Sequence, residues 1–345
     1  MYVSLLLDAE DFIGPKEPDA VRDVAELLTS LGLRATFCVV GELARRLDRE
    51  GRGDVLRALE PHDIGLHTDL HSVHPTTCEA LEGLDWDDGV EVMLGQNRPG
   101  VEAIERVFGR KPSCWGGAGN TWGPQVVGAL EELGVPAFVY AHTAPPGSDL
   151  HEFDGLTAYG SGLYLGDWLL LDRAALEDHH VELHDVVGQR IATGVEWCEV
   201  FVCHPCVLRT VEFWDGVNFA HGTNPPQSKW RSADLRPETD YRTMLANLRW
   251  ALERLTQVPG IRFATIDEMN ARAKTAKREA LSGVELQELQ AIVRGRLMAM
   301  KNWPIHHPNL DVSSIAELTI ERLGTVRRLT GLAGAAEVDI PISNG

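Results

Sequence analysis

Along the first half of the chain, short apolar runs alternate with segments whose apolar residues recur every three or four positions. Tyr2–Leu7 is an apolar run that ends in acids. Arg34–Val40 (RATFCVV) is β-rich and apolar at its centre, as expected of a strand covered on both faces. Between them, Asp19–Leu31 places Val21, Val24, Leu27 and Leu28 at helical spacing before the stop signal Gly32. Residues 41–47, 54–59 and 90–108 predict further helices, and Pro124–Leu133 predicts one with proline in its first turn. His62–Leu66 predicts a short strand leading into a histidine cluster, and Ser113–Trp115 begins another short element. Ala137–Tyr140, Glu199–Val202 and Ile261–Thr265 predict later strands, with a helix over Asp240–Leu255. This rhythm predicts an α/β protein with a parallel sheet, open or closed into a barrel.

The pattern then changes twice. Residues 141–198 and 207–238 carry no clear period and predict long loops, which in a compact domain are often functional. From about residue 274 a charged helix is expected to 300, broken by NWPIHHPN, then a second helix over Ser313–Leu329 and a loose tail. We therefore expect a catalytic barrel over 1–273 and a helical extension over 274–345, which caps the barrel or forms a homo-oligomer contact.

Composition narrows the partners. The 345 residues hold 32 Lys plus Arg against 51 Asp plus Glu, a net charge of −19 that disfavours nucleic acid and anionic membrane surfaces. No stretch approaches a membrane span, and the N-terminus lacks a secretory pattern, so a cytoplasmic protein is expected. The six cysteines are then expected to be reduced and partly buried.

Four features carry candidate chemistry. Asp8-Ala9-Glu10-Asp11 stands where the first strand ends, the position from which side chains enter the mouth of an α/β barrel. His67 and His71, four apart after a strand, would project to one side on a helical turn. Two imidazoles plus a carboxylate, with positions left for water, make a catalytic metal set rather than a closed structural one. His204-Pro205 ends the strand EVFV and could bring a third imidazole to the same mouth. Trp115-Gly116-Gly117 opens a glycine-rich turn with free backbone N–H groups.

Taken together, the strand-end acids, RATFCVVGE, IGLHTDLH, FVCHP and GIRFATIDEM resemble the NodB-like polysaccharide deacetylases, carbohydrate esterase family four, over residues 2–272. The resemblance implies an irregular (β/α)7-type barrel holding a divalent metal, zinc by preference. It implies Asp8 as general base, His67 and His71 as metal ligands, and His204 as general acid. Glu10 supplies the ligand carboxylate with Asp11 as competitor, and His74 competes with His71. The implied reaction is hydrolysis of a non-peptide C–N bond, above all deacetylation of an N-acetylated sugar or related small molecule. Backbone N–H groups near Trp115 and Gly116 would meet the oxyanion. In the loop after His204, Trp214, Asp215, Asn218 and His221 suit a sugar-like ligand, with rings for its apolar face and polar groups for its hydroxyls.

One departure stands out. Such deacetylases carry an Arg-x-Pro whose arginine orients the base, whereas Arg110 and Pro112 come too early and Gly116-Gly117-Ala118 occupies the expected place. Three alternatives follow: a hydrolase of cyclic amides or ureides, a non-catalytic carbohydrate-binding barrel, and a dithiol site at Cys203-His204-Pro205-Cys206. The segment after Cys206 has β-like composition, whereas a redox dithiol normally opens a helix.

Overall fold

Alternating burial on the first strand decides where the chemistry lies. The computed structural model describes residues 1–144, 150–160 and 162–332. Tyr2–Ala9 forms β1, and all of its residues are buried. Val3, Leu5, Leu7 and Ala9 join an apolar cluster shared with the surrounding helices, while Tyr2 and Leu6 join a second cluster on the other face. Ser4 shares that second face and accepts a hydrogen bond from Trp197 Nε1 at 3.0 Å. Side chains alternate across a strand, so Asp8 follows Leu6 onto the inner face at the C-terminal end of β1.

The other strands are β2 (Thr36–Val39), β3 (Asp63–Leu66), β4 (Trp115–Gly116), β5 (Ala137–Val139), β6 (His151–Phe153), β7 (Leu156–Ala158), β8 (Leu163–Tyr164), β9 (Trp197–Cys203), β10 (Arg262–Phe263), β11 (Lys277–Ala280) and β12 (Arg327–Thr330). They pair in the order β11-β12-β6-β7-β5-β4-β3-β2-β1-β9-β8, with β10 beside the start of β1. From β7 to β8 along this path every pairing is parallel. The sheet curls strongly. Tyr159, just past β7, lies 5.0 Å from Trp197 of β9 between ring centroids, although six pairings separate their strands. Helices Glu17–Ser30, Gly41–Arg49, Trp86–Phe108, Gln125–Leu133 and Glu238–Leu255 supply apolar side chains to the cluster outside the sheet. The result is the expected α/β barrel of irregular type.

Three local expectations change. Within the segment expected to be irregular, Arg173–Ala192 is a helix whose N-cap Asp172 accepts from Ala174 N and Ala175 N. It buries only Leu176, His180, Leu183 and Val187, a narrow stripe with a histidine in it, so its apolar period is faint. Asp154-Gly155, both in the left-handed region, turns β6 into β7; an Asp-Gly pair is a strong hairpin signal. After residue 273 the chain adds strands as well as the helices Gly283–Lys301 and Ser313–Arg322. The last helix stops at Arg322 rather than 329, because Arg327–Thr330 pairs with both β6 and β11. The expected tail lies outside the described residues from 333 onward. Among the described residues no helix is long and apolar enough to cross a membrane.

Candidate active site

The C-terminal ends of β1, β3 and β9 bring their side chains to one cavity. Past β3, His67 to His71 form a turn rather than the expected helical turn, with Thr68 and His71 in the left-handed region (φ 57° and 55°). A β-branched threonine there costs on the order of 1–3 kcal/mol, so surrounding contacts must hold it. They come from the N-terminus of the helix Gly41–Arg49. Gly41 N donates to Thr68 O at 3.0 Å, Glu42 N to Asp69 O at 2.9 Å, and Arg45 Nη1 to Asp69 Oδ1 at 2.7 Å. A Cβ at residue 41 would lie 2.3 Å from Asp69 Oδ1, so glycine permits this approach.

Glu10, His67 and His71 are buried, and their donor atoms all lie within 4.8 Å of one another. His71 Nε2 is 2.9 Å from Glu10 Oε2, and His67 Nε2 is 3.7 Å from both Glu10 Oε2 and Asp8 Oδ2. A separation of 3.7 Å exceeds hydrogen-bond reach. It fits two donors sharing one ion, which at metal bonds of about 2.1 Å lie up to about 4.2 Å apart. The His67 Nδ1 is buried without a partner, and a Cβ on Gly116 would lie 3.2 Å from it. Glycine at 116 thus lets the ring close in. His71 Nδ1 meets Ser72 Oγ at 2.7 Å, and that hydroxyl donates to Asp215 Oδ2 at 2.9 Å, fixing the ring. Burial alone would raise the Glu10 pKa, yet His71 and His204 hold it well below the ordinary glutamate value. The donor set therefore fits a divalent cation.

Asp8 and His204 flank this group. Tyr140 donates its hydroxyl to Asp8 Oδ1 at 2.7 Å. Burial, then the Asp8 charge, push the Tyr140 pKa well up, so it remains a donor. His204 follows β9 and caps the short helix Pro205–Arg209. Its Nδ1 meets Asp167 Oδ2 at 2.6 Å while its Nε2 faces Asp8 Oδ2 at 3.9 Å and Glu10 Oε2 at 4.0 Å. Burial opposes a charge on His204, but Asp167, Glu10 and Asp8 outweigh it and bring its pKa up to about 10.

Several expected residues sit elsewhere. Asp11 accepts from Ile13 N and Gly14 N at 2.9 and 2.6 Å, so it closes the turn after β1 and stays outside the cation group. His74 pairs with Glu79. Trp115 lines the cavity with its Nε1 given to Asn97 Oδ1, whereas Gly116 acts through the space it leaves. Asp215 reaches the cavity, and Trp214 backs it, 5.7 Å from the His71 ring. Asn218 does not line it: its amide bridges Trp214 O and Arg231 O. His221 is exposed and likewise outside the lining. Arg110 donates to His62 O at the opposite end of β3 from His67, so it does not orient Asp8. The segment Pro205–Arg209, which includes Cys206, is a short helix, contrary to its β-like composition. Both Cys203 and Cys206 are buried, and burial raises their thiols well above the usual range, the opposite of the lowered thiol of a redox dithiol.

Sequence reasoning missed Tyr140 and Asp167, each a long-range partner with no local signal. It also missed much of the cavity wall. The cavity measures ≈ 490 Å³ and is lined further by Trp122, Tyr164, Trp168, Phe201, Phe213 and Trp303.

No protein-family model matches the chain, and no curated protein matches it in sequence. Among solved structures it is similar to a Mycobacterium smegmatis protein provisionally named a polysaccharide deacetylase. The TM-score is 0.51 at 18% identity, over 81% of this chain and 93% of that one. It is similar also to PuuE allantoinase, with a TM-score of 0.51 at 12% identity, over 76% of this chain and 87% of that one. These likenesses, at low identity, show that the chain has the fold of the NodB-like polysaccharide deacetylases.

Proposed function

We propose that the chain is a metal-dependent hydrolase that cleaves the C–N amide bond of a small N-acylated substrate other than a peptide. The observation that carries this reading is that a base candidate, Asp8, and an acid candidate, His204, face each other at 3.9 Å beside Glu10, His67 and His71. Those three residues would hold the ion, and their two imidazoles and one carboxylate suit zinc. When bound, such an ion polarises an acyl oxygen and makes water more acidic.

The chain's own residues do the rest. Asp8, held by Tyr140, accepts the proton of the attacking water at Oδ2. His204, protonated and backed by Asp167, donates from Nε2 to the departing amine nitrogen. The C–N bond breaks, a C–O bond forms, and the products are a carboxylic acid and an amine. A purely binding barrel would have no use for a His204 ring held by buried Asp167 and facing Asp8. Stripping metal with a chelator should abolish release of acetate from N-acetylated test compounds, and one equivalent of zinc should restore it. Undiminished turnover in the stripped protein would contradict the proposal.

A further inference from the structure

The cavity's walls say what the departing amine carries. His204 donates to the amine nitrogen, so the substituent on that nitrogen must lie beside His204. That ring is enclosed by aromatics: Phe201 lies 4.7 Å and Phe213 5.0 Å from it between centroids. Trp168 and Tyr164 extend the wall, 6.0 Å from Phe213 and 5.8 Å from Phe201. Trp303, from the segment after residue 273, also lines the cavity.

Several polar side chains on this wall already have partners. Tyr140 gives its hydroxyl to Asp8, the Tyr164 hydroxyl accepts from Asp167 N, and the Thr121 hydroxyl accepts from Cys78 N. Asp215 receives Ser72 Oγ and Gly216 N. His142 is kept neutral, with its pKa brought down to about 3 by burial and then by Arg296. Arg296 itself gives Nη1 to the carbonyls of Ala141, His142 and Ala144. Beside Phe201, Phe213 and Trp168 a sugar would find few free polar partners, and each hydroxyl left unpaired costs about 1–3 kcal/mol.

Charge points the same way. Asp8, Glu10, Asp167 and Asp215 line the cavity, and among the described residues no lysine or arginine does. Residues 145–149, 161 and 333–345 contain neither type. Arg236 stands over the Trp168 ring at 5.4 Å and is tied to Val207 O.

Resting on the amide-hydrolase reading, we infer that the substrate class is an N-acylated aromatic amine without an anionic group, its ring held between Phe201, Phe213 and Trp168. Hydrolysis of such an anilide consumes one water and gives the carboxylic acid and the arylamine, with no other reactant.

Three probes test this: acetanilide, its 4-sulfonate (a poor metal ligand) and N-acetylglucosamine. Binding is read by tryptophan fluorescence in an Asp8→Asn variant, and amine release in the metal-loaded wild type. Acetanilide should bind at least ~10-fold more tightly than the other two, since the sugar has no aromatic ring to stack and the sulfonate's charge meets a cavity lined by Asp8, Glu10, Asp167 and Asp215. Trp168→Ala, at a side chain 46% exposed and so outside the core, should remove most of that preference. Equal or tighter binding of N-acetylglucosamine or the sulfonate would overturn the inference. Acetanilide that binds selectively but is never cleaved would uphold it and sink the hydrolase reading. Cleavage of N-acetylglucosamine with no binding of acetanilide would do the reverse.

Discussion

The Tyr140 hydroxyl lies 2.7 Å from Asp8 Oδ1, donating across the barrel mouth from the end of β5 to the end of β1. Tyr140 stands in the left-handed region at φ 59°. On the proposed reading this tyrosine takes the place of the orienting arginine, and its bond to Oδ1 leaves Asp8 Oδ2 to face His67 and His204. Tyr140→Phe should lower kcat by about 10- to 100-fold with KM and bound metal unchanged, because only the orientation of the base is lost. An equal change in KM, or loss of the metal, would mean that the hydroxyl serves binding or structure instead.

The Asp167–His204 pair should behave as a unit. Asp167→Asn keeps the shape but removes the charge that supports the imidazolium, so kcat should fall by at least about 100-fold. His204→Ala in that background should cost little more. Losses that simply add would show that the two residues act separately.

Gly116 makes a test of packing against the site. Its missing Cβ would lie 3.2 Å from His67 Nδ1, Tyr140 Cε2 and Val139 Cγ2. Gly116→Ala should cost about 1–3 kcal/mol of stability and loosen metal binding by shifting His67. Denaturation and metal titration of the same sample check both effects together.

His62 gives a pH dependence with a defined sign. It is buried at the entry to β3, between Thr29 Oγ1, Ala25 O and Ala35 N. Burial brings its pKa down from 6.5 to about 4. Its folded pKa is below the unfolded one, so the unfolded chain binds the extra proton between these values. The stability this residue contributes is complete above pH 6.5 and is lost as pH falls toward 4. The stability gap between wild type and His62→Gln should therefore narrow by up to about 1.4 kcal/mol per pH unit across that window. A gap that is constant with pH would contradict neutral burial.

The barrel and the cation group were legible because they rest on short-range pattern. Alternation along Tyr2–Ala9 places Asp8, and the strand ending at Leu66 places His67. Choosing Glu10 over Asp11 needed the turn itself, since only the fold shows Asp11 bound to Ile13 N and Gly14 N. Tyr140 and Asp167 were hidden for a related reason: each meets its partner across 132 and 37 residues, and nothing local marks the pairing. The aromatic wall assembles from separate segments, one of them beyond residue 273: the loop after His204 supplies Phe213 and Asp215, while Trp168 and Trp303 come from parts of the chain with no such signal. The helix Arg173–Ala192 was lost because His180 interrupts its apolar stripe.

Anomalous diffraction at the metal absorption edge, on crystals of the zinc-loaded protein, is the most direct measurement. We expect one peak per chain, bounded by Glu10 Oε2, His67 Nε2 and His71 Nε2, with Asp8 and His204 on its open side. A peak bound by Asp11 or His74, or no peak in this cavity, would contradict the account.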